Sequence, residues 1–574
     1  MDSKSGQPAD SVLASVEDRS VKHQALLSTL GVRTSQGSFY TPIDVADKLV
    51  KAALGQRLLK VTGIGDCPRV LDPTCGSGNF LVVVALHIAW RLVELGVDEV
   101  QALEHAVKNC VFGSDIDPEA VNLCKQSLIA LCPSSVMEAD LARHVVVRDS
   151  LRLFLLGGGT AGQGSLFDEP EESWSDVFPE VFGAGVEAFD AILGNPPFLS
   201  QLQSETVLDP KLTSALVNRF GSSLSKLTNP ASIFLLGASE LVVEGGAVVL
   251  IQPVSFLATR ESAEIRSLLL RRMDLVEIWV GGPKIFDAAV EVVAVSLVRQ
   301  KVDTTTRITV GRKFEVWGTT QSPTHSDATW SRILAKAKGV PEYDFQSSGI
   351  VADVASATAD FRDQYYGLVG AVHEQVGDIK PSDEMRLATV GLIDLGVLMW
   401  GTRHTKFAKE RYLKPLVDTS LLSPALRAWA TTRNKPKIVV SNQTRTLEPY
   451  VDQLGDVLPS VPLLTVDCAR EDLWLVAAAV ASPVASIVAV ERHLGAGMSI
   501  DVIKLSAKDL LNLPLPMNRK CWAEGAHMFQ RIQEETEPRM RSELIGQFGR
   551  IMCDAYATSN DVLEWWLTRL PDRT

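Results

Sequence analysis

Three short apolar runs, each ended by an aspartate and each followed by a helix-forming stretch, constrain this chain more than any other feature. The first is Arg69-Val70-Leu71-Asp72, which leads through Pro73-Thr74-Cys75-Gly76-Ser77-Gly78 into an apolar helix over residues 81–95. The second is Cys110-Val111-Phe112-Gly113-Ser114, ending in Asp115-Ile116-Asp117-Pro118, with Pro118 at the first turn of the next helix. The third covers residues 144–148 and ends at Asp149-Ser150. Continuous apolar strands that alternate with helices are the signature of a parallel sheet covered on both faces. Ligands of such sheets bind at the carboxyl ends of the strands, where these three acids fall. A single Asp there is commonly a helix cap or a turn residue. Three in succession at strand–helix spacing describe a cleft for an adenosyl cofactor. The glycine turn after Asp72 lets the backbone pass close to a ligand, but position 81 is Leu, so the dinucleotide phosphate fingerprint fails. An acid beside that turn suits a cationic, amino-acid-bearing cofactor better than a pyrophosphate.

A fourth strand, residues 189–194, runs into Asn195-Pro196-Pro197-Phe198. The Asn195 side-chain oxygen and the Pro196 carbonyl are two acceptors held by rigid φ angles, and Phe198 adds a flat face. That set fits an exocyclic amino group on a planar base. Further strands are expected over residues 246–254, 275–280 and 292–299. The last two are joined through Gly281-Gly282-Pro283-Lys284-Ile285-Phe286, which suggests an antiparallel edge on the sheet. Upstream, Gly37-Ser38-Phe39-Tyr40-Thr41-Pro42 precedes a helix over residues 43–54, for which Thr41 is a candidate N-cap.

At 574 residues the chain is long enough for two or more domains. The start lacks the layout of a signal peptide, and the apolar stretch 473–490, interrupted by Pro483, reads as a buried helix rather than a membrane span. Eight cysteines with no C-x-x-C pair argue against a disulfide framework or a zinc module, so no metal is expected and a reducing cytoplasm is the natural setting. The net charge of −13 does not advertise a nucleic-acid binder, so local patches decide.

Taken in order, Phe39-Tyr40-Thr41-Pro42, Asp72 to Gly78, Asp115-Ile116-Asp117-Pro118, Asp149 and Asn195-Pro196-Pro197-Phe198 resemble the N6-adenine DNA methyltransferases of restriction-modification systems, more narrowly their gamma class. The resemblance covers about residues 37–300 and continues weakly to about 516 through Gly495-Ala496-Gly497-Met498 and Leu513-Pro514-Leu515-Pro516. It implies a class I methyltransferase fold, Rossmann-like and mostly parallel, followed by a mixed α/β target recognition domain. It implies S-adenosylmethionine as methyl donor, with Tyr40, Thr41, Asp72, Thr74, Gly76 and Gly78 around its methionine part. Asp115 and Ile116 would meet the ribose side, and Asp149 and Ser150 the adenine. Asn195 and Pro196 would accept from the N6 amino group of a target adenine, with Pro197 stiffening the loop and Phe198 stacking on a flipped base. Phe286 stands where such enzymes often carry a second aromatic. Thr74 replaces a usual Ala, and Phe198 the commoner Tyr. Methyltransferases of protein glutamine or of RNA share the tetrapeptide, and a scaffold whose activity has decayed is a third reading.

In the second half, Arg403, Lys406, Lys409, Arg411, Lys414, Arg427, Arg433, Lys435, Lys437 and Arg445 are interleaved with Trp400, Phe407, Tyr412 and Trp429 and opposed locally by Glu410 and Asp418. After such a methyltransferase module this reads as a grip on double-stranded DNA, with Arg403, Lys406, Arg433, Lys435, Gln443 and Arg445 as candidate contacts. The domains are expected at 1–36 (helical), 37–310 (catalytic), 311–518 (recognition) and 519–574 (helical tail). Gln163-Gly164-Ser165-Leu166-Phe167 resembles a peptide that docks on the bacterial sliding clamp. No nuclease cluster is legible, so a paired restriction endonuclease or other defence subunit would be a separate chain.

Overall fold

The computed structural model describes residues 41–570 apart from 133–134, 157–171, 183–188, 199–209, 221–228, 283–284, 286–290, 301–304, 328, 360–361, 378–379, 382–383 and 497–500. Tyr40, Phe286, the clamp-like peptide at 163–167, most of the loop around it and the segment before residue 37 lie outside the described residues. The chain divides into two compact units, Met1–Trp330 and Ser331–Thr574.

The first unit is built on nine strands: β1 (Val70–Asp72), β2 (Val111–Asp115), β3 (Val145–Val147), β4 (Phe189–Gly194), β5 (Val242–Pro253), β6 (Asp274–Val280), β7 (Val292–Val298), β8 (Thr305–Val310) and β9 (Glu315–Gln321). Their order across the sheet is β3-β2-β1-β4-β5-β7-β6-β8-β9. The first five run parallel, with Leu71 opposite Phe112 on one side and Ile192 on the other. Nearly every residue of β1, β2 and β4 is buried, which is why these strands carry continuous apolar runs rather than alternation. Helices α1 (Ile43–Leu58), α2 (Asn79–Glu94), α3 (Glu99–Asn109), α4 (Pro118–Ile129) and α5 (Ser150–Leu156) include the connections between the first strands. Helix α2 packs against both α1 and α3, and its sequence Phe80-Leu81-Val82-Val83-Val84-Ala85-Leu86 is accordingly buried. Asp98 and Asp117 cap α3 and α4 through their side chains.

Two expectations are revised. The β6–β7 pair is antiparallel but is not the sheet edge: β7 lies between β5 and β6, and β8 pairs with β6 in parallel. Strands β8 and β9 occupy the backbone groups that an edge would expose. The sheet therefore runs to Gln321, and the boundary between the units falls after Trp330 rather than at 310.

The second unit contains two four-stranded sheets. One orders Ala355–Ala359, Leu464–Cys468, Lys437–Ser441 and Glu448–Asp452; the other orders Val372–Glu374, Pro415–Asp418, Glu384–Ala388 and Val457–Pro459. The closing residues Arg519–Glu534, Pro538–Tyr556 and Asn560–Arg569 are helices packed within this unit. The apolar stretch forms Leu473–Ala481 and Pro483–His493, with Ser482 capping the second helix and most side chains buried. Among the described residues no single helix is long and apolar enough to cross a membrane; one pair that includes these helices passes by length and composition only together, bent by 56°.

Candidate functional site

The acids that end β1, β2 and β3 lie on adjacent strands at one edge of the sheet. Asp72 is 1% exposed, and its Oδ1 accepts the Thr74 amide at 2.9 Å. Asp115 accepts the Gly76 amide through Oδ2 at 2.9 Å and the Asp117 amide through Oδ1 at 3.0 Å, so it clamps the glycine turn to the tip of β2. Asp149 caps α5 with Oδ1, which accepts from the Leu151 amide at 3.0 Å.

Burial pushes the Asp72 carboxyl up to about 8; the Thr74 amide works against that rise and the nearby Asp115 charge adds to it. Burial raises Asp115 and Asp149 as well. Three carboxyls made less acidic by the same cleft amount to a site where negative charge lacks compensation, and that deficit suits a cation with hydroxyl and amino donors.

The backbone is kept close to this edge. Gly78 adopts φ +91°, and a Cβ there would lie 2.9 Å from Cys124 Sγ on α4. A Cβ on Gly194, the last residue of β4, would fall 2.5 Å from Asp72 Oδ1. That position joins Asp72 to the strand that delivers Asn195. Pro196 is buried, whereas Asn195, Pro197 and Phe198 are half-buried; Phe198 rests against the core that includes Leu193 and Val249.

Thr41 is not the cap of α1. Pro42 holds that position, while the Thr41 hydroxyl is buried with no hydrogen-bond partner among the described residues. Its carbonyl accepts from Asn79 Nδ2 at 2.8 Å, which ties the N-terminal entry to the start of α2. Ser150, expected beside the adenine, is turned inward: its hydroxyl donates to the Pro73 carbonyl at 2.6 Å, and Ser114 Oγ lies 3.0 Å away. Ile116 is 64% exposed, an apolar face at the tip of β2. Asn79 and Ser114 have no motif of their own; their partners are 38 and 34 to 36 positions away in the chain, beyond the reach of local pattern.

The basic stretch of the second unit is divided by the fold. Lys406, Lys409, Arg411, Arg427, Lys435, Gln443 and Arg445 are exposed. Lys437 is fully buried, and its ammonium meets Asp452 at 2.6 Å and the Arg433 carbonyl at 2.7 Å. Arg433 is buried and donates to Thr358 Oγ1 at 2.8 Å. Arg403 forms a two-pronged pair with Asp394 at 2.7 and 2.8 Å, and Lys435 faces Asp467 at 3.2 Å. The opposing acids come from outside the 403–445 window, so a count within that window overstated the free positive charge.

A parallel sheet of order 3-2-1-4-5 followed by the antiparallel 7-6 pair, with acids at its first three tips, defines the S-adenosylmethionine-dependent methyltransferase fold. Residues 26–141 match the family model described as N-6 DNA Methylase, and residues 109–286 the one described as Eco57I restriction-modification methylase. Over these residues the chain is similar to the N6-adenine DNA methylases and the Eco57I restriction-modification methylases.

Relatives include the type II methyltransferase M.BanIII of Aneurinibacillus aneurinilyticus, 26% identical over 258 residues, which cover 44% of this chain and 37% of M.BanIII. The adenine-specific methyltransferase PglX of Streptomyces coelicolor is 31% identical over 158 residues, 23% of this chain and 12% of PglX. The matched parts are thus well under two thirds of either relative. The solved structure of the type IIL restriction-modification enzyme MmeI in complex with DNA matches the fold with a TM-score of 0.55 and 12% identity, over 94% of this chain and 76% of that one.

Proposed function

We infer that this protein is a site-specific DNA methyltransferase that transfers a methyl group from S-adenosylmethionine to N6 of adenine in double-stranded DNA. The observation that carries the reading is the contact geometry at Gly194: one glycine of β4 brings Asp72, the acid suited to a cationic cofactor, against the strand that presents Asn195-Pro196-Pro197-Phe198. The related proteins named as adenine-specific or type II methyltransferases, and the MmeI complex with DNA, support the substrate.

The residues present fit the cofactor. Thr41 offers a buried hydroxyl without a partner among the described residues, Asp72 a carboxylate for positive charge, and Asp115, Ile116 and Asp149 a ribose and adenine side. When bound, S-adenosylmethionine supplies an electrophilic methyl group on a sulfonium. The Asn195 side-chain oxygen and Pro196 carbonyl accept the two hydrogens of the target amino group, which concentrates its lone pair on N6. The two prolines hold these acceptors in place, so little reorganisation accompanies the change at nitrogen. Phe198 supplies a stacking face for a base turned out of the duplex. Lys406, Gln443 and Arg445 remain the candidates for DNA contact on the second unit, and Lys435 and Arg403 would contribute once released from Asp467 and Asp394. Any paired cleavage activity is assigned to a separate chain, with the bacterial cytoplasm as the setting.

The test is transfer of isotopically labelled methyl from S-adenosylmethionine to duplex DNA, followed by single-molecule sequencing of genomic DNA with and without the gene. One short motif that carries N6-methyladenine only when the gene is present is expected. Cofactor binding without methyl transfer to any duplex, or transfer to RNA or protein instead, would overturn the reading.

A further inference from the structure

At the ends of β1 and β2 opposite the acid-bearing tips, the start of the sheet gathers a second set of chemically active side chains. Cys67 follows the short turn Ile64–Asp66 that leads to β1, His105 lies on α3, and Cys110 ends that helix immediately before β2. The two sulfurs and one imidazole nitrogen lie within 4.8 Å of one another. The Cys110 carbonyl accepts the Val70 amide at 2.8 Å, which fixes the cluster at the amino ends of β1 and β2, opposite Asp72 and Asp115. Nothing in the methyl-transfer reading uses these three residues.

We propose that Cys67, His105 and Cys110 form a binding site for a thiophilic divalent cation, zinc foremost. Two thiolates and an imidazole are a borderline-soft donor set that selects zinc over calcium or magnesium. Zinc–sulfur bonds of about 2.3 Å and zinc–nitrogen bonds of about 2.0–2.1 Å place tetrahedral ligand atoms roughly 3.5–3.8 Å apart. The cluster therefore closes on the ion by a movement of about 1 Å, within reach of side-chain rotation. Cys110 is buried, while Cys67 and His105 are half-buried, so a water molecule has access to the fourth position. Binding displaces the two thiol protons to solvent, with no change of oxidation state. The ion would fasten the segment before β1 to the α3–β2 junction, a clip between parts of the chain about forty residues apart. The cysteine pattern hides this, because the ligands are separated along the chain and do not form a C-x-x-C unit.

The test uses the full chain, stripped of metal under reductant and titrated first with cobalt(II), then with zinc(II). One equivalent of cobalt with a thiolate-to-metal charge-transfer absorption is expected, displaced stoichiometrically by zinc. Cys67→Ser and His105→Gln should lose the absorption while keeping the wild-type circular dichroism, and Cys468→Ser, in the second unit, should retain it. Absence of the band in folded, reduced protein, or its persistence in both ligand variants, would overturn the proposal.

Discussion

Gly194→Ala is the sharpest single test of how the two halves of the proposed site depend on each other. Gly194 has no left-handed φ, so alanine meets no conformational penalty; the cost comes from space. The new methyl would lie 2.5 Å from Asp72 Oδ1, 3.2 Å from its Cγ and 3.4 Å from Thr74 Oγ1. The carboxylate is held by the Thr74 amide and is 1% exposed, so it can yield only by stretching or breaking that hydrogen bond. Overpacking of this kind costs about 1–3 kcal/mol. If the cofactor needs Asp72 in its original place, the same energy appears as a rise in Kd of roughly 5- to 150-fold. Isothermal titration with S-adenosylmethionine measures the affinity, and a thermal melt of the free protein shows whether the strain is felt without ligand. Gly55→Ala, at a half-buried position of α1 with nothing within 4 Å of an added Cβ, serves as the control and should leave affinity unchanged. A Gly194→Ala protein with wild-type affinity and wild-type Tm would refute the packing argument and separate Asp72 from the tetrapeptide strand.

Asn195→Ala should bind cofactor and DNA normally yet lose about 10²–10³ in single-turnover rate, because the lost acceptor acts as N6 changes hybridisation; an unchanged rate removes Asn195 from the chemistry. Affinity for the cationic cofactor should rise with pH by up to tenfold per unit as pH climbs toward about 8, since the protonated Asp72 must ionise on binding, and should level off above it. Calorimetry of Asp72→Asn should show that slope gone. For the free protein the sign is opposite: Asp72 binds a proton that the unfolded chain has lost above about pH 4, so its contribution to stability declines between pH 4 and 8. Lys437→Met should destabilise the second unit by about 3–5 kcal/mol, because it leaves the buried Asp452 with its Gly455 and Val457 amide donors but no counter-charge, and should not alter the salt slope of DNA binding. Arg445→Ala should do the reverse, reducing that slope by about 1 with little change in Tm, if its exposed guanidinium meets a phosphate.

The sequence made the strand tips legible for a physical reason. A buried parallel strand is mostly apolar, so the turn to polar residues after Val70-Leu71, Phe112-Gly113-Ser114 and Val145-Val146-Val147 marks where each strand ends, and an Asp stands at or just past each of those ends. The antiparallel character of the last two strands expected in the sheet was legible as well, but not their place inside it, because no motif joins residues 305–321 to the strands before them and β8 and β9 become evident only in the folded sheet. Residues that act across the sheet were hidden: Asn79 reaches Thr41 and Ser150 reaches Pro73 only once the strands align. The basic stretch misled for a related reason. Lysine is almost always exposed, and nothing local to Lys437 signals that Asp452 lies opposite it on the neighbouring strand.

The inward-facing Ser150 has a wider consequence. Its hydroxyl joins the Pro73 carbonyl to Ser114, whose own hydroxyl lies 3.2 Å from the Arg148 carbonyl, so the ends of β1, β2 and β3 are stitched together beneath the three acids. On the proposed function, the attachment points for the three parts of an elongated ligand would thereby be spaced before it arrives. A ligand that finds them already in register loses only its own freedom on binding, and a flexible molecule with three separate moieties can be held firmly without the protein closing around it. Loosening one stitch would slacken all three grips at once, so Ser150→Ala is expected to weaken binding of the whole cofactor more than that of its isolated fragments.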